Sequence, residues 1–200
     1  MLQANGAIVV SGAPPCSQPG CDHTDVVRYN ANGTLDASFG SGGKLTLAGV
    51  AVGEGLALQR DGRLVLAGSV TDFTVPATAR FLLMRLNADG SPDTSFGNAG
   101  RVDTAFSESA FARAVALQAD GKIVAVGSRA FSVSSDFVVA RYNADGSVDR
   151  GFGSDGNLSI DFFGFTDIGE NVLVQPDGKI VVGGQAENNA SGYGVARINP

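Results

Sequence analysis

Residues 117–126 read LQADGKIVAV, and residues 141–149 read RYNADGSVD. These two stretches decide the fold because each one returns along the chain. The first recurs as LQANGAIVV from Leu2, LQRDGRLVL from Leu58 and VQPDGKIVVG from Val174. The second recurs as RYNANGTLD from Arg28 and RLNADGSPD from Arg85, and its first three positions as Arg197-Ile198-Asn199. The arginines at 28, 85, 141 and 197 give a period of 57, 56 and 56 residues. A Phe-Gly pair follows each full copy, at Phe39-Gly40, Phe96-Gly97 and Phe152-Gly153, with a further glycine at Gly43, Gly100 and Gly156. Repetition at this spacing marks an array of supersecondary units rather than one irregular domain.

Within a unit the pattern predicts four short strands. In one period they cover 101–106, 112–118, 122–127 and 137–143. Each is a run rich in Val, Ile, Leu, Ala or Phe, bounded by Gly, Asp, Asn and Ser. Ala119-Asp120-Gly121 joins the second and third strands as a tight hairpin in which glycine supplies a positive φ. No segment sustains a 3.6-residue apolar period, so helix is not expected. Four-stranded units at this period predict an all-β β-propeller, or a segment of one, with antiparallel blades. A sandwich uses the same strands. A solenoid repeats over a shorter coil, roughly 20–30 residues. The array is one domain over 1–200, with a partial unit at 1–42 and units at 43–99, 100–155 and 156–200. That count is about three and a half units. A short open array exposes a blade face, so either missing blades of a longer chain or a homo-oligomer is expected.

The bulk numbers exclude several classes. Two hundred residues suffice for a core. The net charge of −6 argues against nucleic acid, whose phosphates select basic surfaces. No apolar run reaches the roughly 18–20 residues that cross a bilayer, so membrane insertion is not expected. The start, Met1-Leu2-Gln3-Ala4-Asn5-Gly6, lacks the charged and apolar regions of a signal peptide. Cys16 and Cys21 share one loop, where a short disulfide would fit an exported protein. His23 beside them makes only a weak zinc pattern.

The run DGKIVV, followed by a strand ending in Ala-Arg-Tyr-Asn, Asp-Gly-Ser and Phe-Gly, resembles the delta-60 repeat of bacterial proteins. The resemblance covers nearly the whole chain. It implies a propeller-forming repeat, often in large exported or surface proteins, and therefore an extracellular, cell-surface or periplasmic location. It implies no chemistry, because fold does not fix function.

The repeated polar residues are first of all structural. Asn143-Ala144-Asp145-Gly146 reads as a turn. The stretch from Asn143 to Asp149 also resembles the later positions of a propeller calcium loop, Asp-x-Asn-x-Asp-Gly-x-x-Asp. Arginine stands where the first ligand belongs, at Arg28, Arg85 and Arg141. Calcium wants six to eight oxygens. The guanidinium is therefore expected to replace the ion and to pair with the acid eight residues on: Arg28 with Asp36, Arg85 with Asp93, Arg141 with Asp149. No cofactor is expected, with calcium as the one candidate.

Strand alternation sends two sets of connections to opposite ends. The Asp-Gly and Asn-Ala-Asp-Gly turns gather at one end and hardly vary. Loops 11–25, 69–80, 128–136 and 185–193 gather at the other with 48–54, 107–111 and 163–169, and they differ in length and content. Asp72, Phe73, Phe131, Phe165 and Asp167 are the candidate binding residues there, for a protein or glycan ligand. A catalytic reading finds little. His23 is the only histidine, and no Gly-x-Ser-x-Gly elbow occurs. Glu54 and Glu170 are the acids a metal-dependent propeller hydrolase or lactonase would place near a channel. A calcium-stabilised adhesion module is the other alternative to a non-catalytic binding scaffold.

Overall fold

The structure is a computed structural model. It describes residues 1–12, 23–49, 51–72, 78–188 and 190–199, with the backbone alone at 51–54 and 72. Cys16, Cys21 and Phe73 lie outside the described residues, as do the side chains of Glu54 and Asp72. The described residues form strands β1 (Ile8–Gly12), β2 (His23–Tyr29), β3 (Lys44–Ala48), β4 (Ala51–Leu58), β5 (Leu64–Asp72), β6 (Thr78–Leu86) and β7 (Arg101–Thr104). They continue with β8 (Ala110–Leu117), β9 (Ile123–Ala130), β10 (Ser135–Tyr142), β11 (Asn157–Ile160), β12 (Asp167–Val174), β13 (Ile180–Glu187) and β14 (Ser191–Ile198), and no helix occurs among them.

Four antiparallel sheets result, ordered β1-β2-β3, β4-β5-β6-β7, β8-β9-β10-β11 and β12-β13-β14. Each Asp-Gly hairpin is closed from both sides by one glutamine backbone. Gln118 N–H donates to the Lys122 carbonyl, and Gly121 N–H donates back to the Gln118 carbonyl. Gly121 sits at φ +88°, which an L side chain rarely adopts. Gln3, Gln59 and Gln175 repeat both bonds.

The sheets group the strands differently from the sequence periods. Arg101–Thr104 does not open a unit of its own. It pairs with β6, setting Met84 opposite Arg101 and Phe81 opposite Thr104. The cause is local. Asp93 N–H donates to the Arg85 carbonyl, and Arg85 N–H donates to the Gly100 carbonyl at 2.9 Å, so the segment between folds back beside the strand it left. Lys44–Ala48 and Asn157–Ile160 likewise close the sheets that precede them. The partial unit expected at 1–42 thus supplies two strands of a three-stranded sheet whose third, Lys44–Ala48, comes from residues expected in the next unit, and Leu2 adds one bridge with Ile8.

Period-two alternation gives every sheet two faces. Val9, Val26, Phe39 and Leu47 of the first sheet pack on Leu64, Leu66, Leu82 and Leu86 of the second. Val65, Phe81, Leu83 and Phe96 then meet Ile123, Val138 and Tyr142 of the third. Val124, Val126, Phe137 and Val139 meet Ile180 and Val182 of the fourth. Most of these side chains are wholly buried, and each large one stabilises the stack by about 1.5–3 kcal/mol before entropy is counted. Strands β4, β8 and β12 pack against one another and form the inner side of the stack.

Candidate functional site

The repeated polar residues form clamps at the turn end. Arg85 Nε donates to Asp93 Oδ2 at 2.7 Å, with both side chains more than nine-tenths buried. Arg28 with Asp36 and Arg141 with Asp149 have the same geometry, at 2.8 Å each. Each guanidinium also lies over the phenylalanine of its own Phe-Gly pair, at 4.7 Å for Phe39 and Phe96 and 4.5 Å for Phe152. The clamps reach across sheets. Arg85 Nη1 donates to the Ala144 carbonyl of the next sheet's turn at 2.6 Å, and Arg28 does the same to Ala88. Ser38 and Ser95 complete the first two clamps by donating to Asp36 and Asp93. The third has Gly151 there, and Lys122 supplies a second cation to Asp149 at 3.1 Å. Arg63 does so for Asp93, also at 3.1 Å. These second cations come from a separate turn, just before β5 and β9, and give no local sequence signal. Their common place directly after an Asp-Gly turn is the one trace of them. The aspartates of the three clamps are spent on guanidinium, hydroxyl and ammonium groups.

The loop end is different in kind. Phe163 and Phe165, in the β11–β12 connection, are exposed, and Val133 at the tip of the β9–β10 loop is 94% exposed. The two loops touch: Ser135 N–H donates to the Phe165 carbonyl, and the Ser135 hydroxyl donates to the Asp167 carbonyl at 3.0 Å. Phe131 is half-buried under the Arg129 guanidinium, 5.0 Å from its ring centre. Asp167 is withdrawn from the surface. It is fully buried, and its Oδ2 accepts the Phe162 N–H at 2.7 Å, which folds the loop down. Asp136 lies between these loops. Burial raises its pKa first, and the negative charge of Asp161 adds to the rise. The surface therefore combines exposed aromatic rings with carboxylates.

The inner side holds two further repeated features. A β-bulge shifts the register of β8 between Ala112 and Ala114 and of β12 between Gly169 and Asn171, and the register of β4 shifts twice, between Ala51 and Gly53 and between Gly53 and Gly55. Bulges re-aim side chains, and Glu170 is exposed. Where the same strands end, a cavity of about 550 Å³ is lined by Leu58, Gln59, Leu117, Gln118, Val174 and Gln175. The side-chain oxygens of Gln59, Gln118 and Gln175 are buried with no hydrogen-bond partner among the described residues. The glutamine recurs in every copy of the first repeat block, and only its side chain is left over from the hairpin. Among the described residues no group of three or more His, Cys, Asp or Glu is placed to hold a metal ion.

A family described as "Domain of unknown function (DUF5122) beta-propeller" matches residues 3–39, 59–96, 118–152 and 175–200, well over half of the chain. The chain belongs to the DUF5122 β-propeller family. Each of the first three matched segments runs from the hairpin glutamine to the clamp phenylalanine, and the last opens at Gln175. The DUF5122 match thus covers the Asp-Gly turns, the middle strands and the arginine clamps. The unmatched stretches hold the outer strand, the crossing to the next sheet and the bulged inner strand. No curated protein matches the chain.

Proposed function

We propose that this DUF5122 chain is a non-catalytic binding scaffold that takes a protein or glycan ligand on the loop end of its third and fourth sheets. The carrying observation is the pair of touching loops that leave Phe163, Phe165 and Val133 exposed beside Asp136 and Asp161. Aromatic faces stack on sugar rings or apolar side chains, and carboxylates accept their hydroxyl or amine donors. The turn end offers the contrast, since the arginines and aspartates of its clamps are paired with one another. The likeness of the repeat to the delta-60 pattern supports placement in an exported or surface bacterial protein. The test is binding of the chain to a panel of polysaccharides and surface proteins, with and without chelator. Saturable binding that Phe163→Ala and Phe165→Ala weaken at least tenfold, and that chelator leaves unchanged, is expected. Binding indifferent to both substitutions would overturn the reading. Chelator-sensitive binding would return the calcium-stabilised adhesion module.

A further inference from the structure

The hairpin glutamines carry a side chain that the fold leaves partly unused. The backbones of Gln59, Gln118 and Gln175 close their Asp-Gly turns. Their side chains line one cavity of about 550 Å³. Gln118 shows the arrangement best, because its sheet is packed against another on either side. It is 9% exposed. Its Nε2 donates to the Gly178 carbonyl of the fourth sheet's turn at 3.4 Å. That bond fixes which way the amide points, and the amide oxygen is left buried, accepting from no described residue. The oxygens of Gln59 and Gln175 are in the same state. A buried acceptor left unpaired costs about 1–3 kcal/mol. Such atoms at equivalent places around one cavity call for donors that the chain does not supply.

The walls decide which donors fit. The unpaired atoms are acceptors, which turns away anions. They are neutral amide oxygens, and Asp61, the carboxylate on the wall, is already paired with Arg63 at 2.8 Å. A cation would enter with no free counter-charge and lose its hydration uncompensated, and Arg60 on the same wall repels it. What fits is a neutral molecule with several donors. Leu58, Leu117 and Val174 precede the glutamines in the three repeats and give the cavity an apolar side, which suits the carbon face of a polyhydroxy compound. The volume lies within the roughly 300–1,000 Å³ of small-molecule sites. Rotation about the last glutamine torsion is broad and cheap. The oxygens can therefore swing to a hydroxyl while the hairpin bonds, made by backbone alone, stay in place.

We infer that this cavity binds a neutral polyhydroxy compound, a polyol or a sugar, through the amide oxygens of Gln59, Gln118 and Gln175. The site lies at the turn end of the inner strands, opposite Phe163 and Phe165, and stands independently of a ligand at the loop end.

Polyols raise the melting temperature of proteins by exclusion from their surface, so a thermal shift is no test. Binding is read instead from the side-chain amide resonances of the three glutamines, in isotope-labelled whole chain titrated with mannitol and, separately, with trehalose. Saturable shifts that give one dissociation constant at all three are expected in at least one series, and the series that saturates tells open polyol from sugar. Glycine betaine, which carries no donor, and potassium chloride leave the resonances in place. Gln118→Met keeps a side chain of similar length but removes the acceptor. It weakens binding about tenfold with an unchanged circular-dichroism spectrum, and Gln175→Met repeats the result at a second position. Phe163→Ala and Phe165→Ala leave the affinity as it was, which separates this site from the loop end. Shifts that never saturate with either compound overturn the inference, because solvent water alone then completes the glutamine oxygens. So does binding that both methionine substitutions leave intact. Saturation with potassium chloride, or equal shifts with betaine, overturns it as well, the first meaning a cation site and the second a contact that needs no donor.

Discussion

Arg85 is held by four different chemistries. A carboxylate meets Nε, a serine hydroxyl and the Ala144 carbonyl meet the terminal nitrogens, and a phenylalanine ring lies beneath. Removing it leaves the buried Asp93 with Arg63 as its one remaining cation beside the Ser95 hydroxyl, and frees the turn of the next sheet. Arg85→Ala is therefore expected to cost on the order of 3 kcal/mol, measured by urea unfolding, as for other broken buried pairs. Arg85→Lys should recover little of this, because an ammonium cannot reach both acceptors as a planar fork does. The aspartates of this end also set the acid response. Serine hydroxyls hold Asp36, Asp89, Asp93 and Asp145 below the ordinary aspartate pKa of 3.8, and lysines hold Asp149 and Asp177 there. A depressed folded pKa adds stability that is full above 3.8 and lost as pH falls through the folded values. The unfolding midpoint should be flat on the neutral side of that value and decline steadily below it. Asp136 acts in the opposite sense, because burial and Asp161 raise its folded pKa. Its ionisation destabilises at neutral pH, and this cost is absent once the group is protonated in both states. Asp136→Asn should raise the melting temperature at pH 7 and leave it unchanged at pH 3. An equal rise at both would mean that packing, not charge, is responsible.

At the scale of strands and turns, the Asn-Ala-Asp-Gly segment is where one sheet locks onto the next. A Cβ on Gly146 would lie 2.8 Å from the Phe96 ring, and one on Gly90 3.0 Å from Phe39, while Gly33 has nothing within 4 Å. All three have φ between +84° and +90°. Gly33→Ala then costs only the left-handed backbone, about 1–2 kcal/mol. Gly90→Ala and Gly146→Ala add overpacking of about 1–3 kcal/mol. Equal losses in urea unfolding at the three positions would show that the ring contact matters little. Much of this level was legible in the sequence. The Asp-Gly turns, the strand cores and the arginine–aspartate spacing of eight all follow from residue type and repetition. The partner of Arg101–Thr104 was not legible. A strand of four residues with alternating side chains fits beside either neighbour, and the choice is made by the Arg85–Gly100 backbone bond. The loop end was legible as a location but not in orientation. Asp167 and Phe165 are two residues apart, yet one is buried beneath the loop and the other lies on it.

For the whole molecule, stability follows how many faces of a sheet are covered. The second and third sheets are packed on both sides, and the first and fourth on one. In a stack of this kind, stability is close to a sum of unit terms and nearest-neighbour contacts, so opening starts at the ends. Native-state hydrogen exchange should therefore find β5, β6, β9 and β10 slowest, with β1 and β14 opening at lower free energy. β14 should exchange well ahead of β10, although both carry the same repeat pattern, because Phe137 and Val139 of β10 are buried while Tyr193 and Val195 at the equivalent positions of β14 are 92% and 69% exposed. Equal protection of the two strands would mean that the stack opens in one global event and not as a sum of nearest-neighbour contacts.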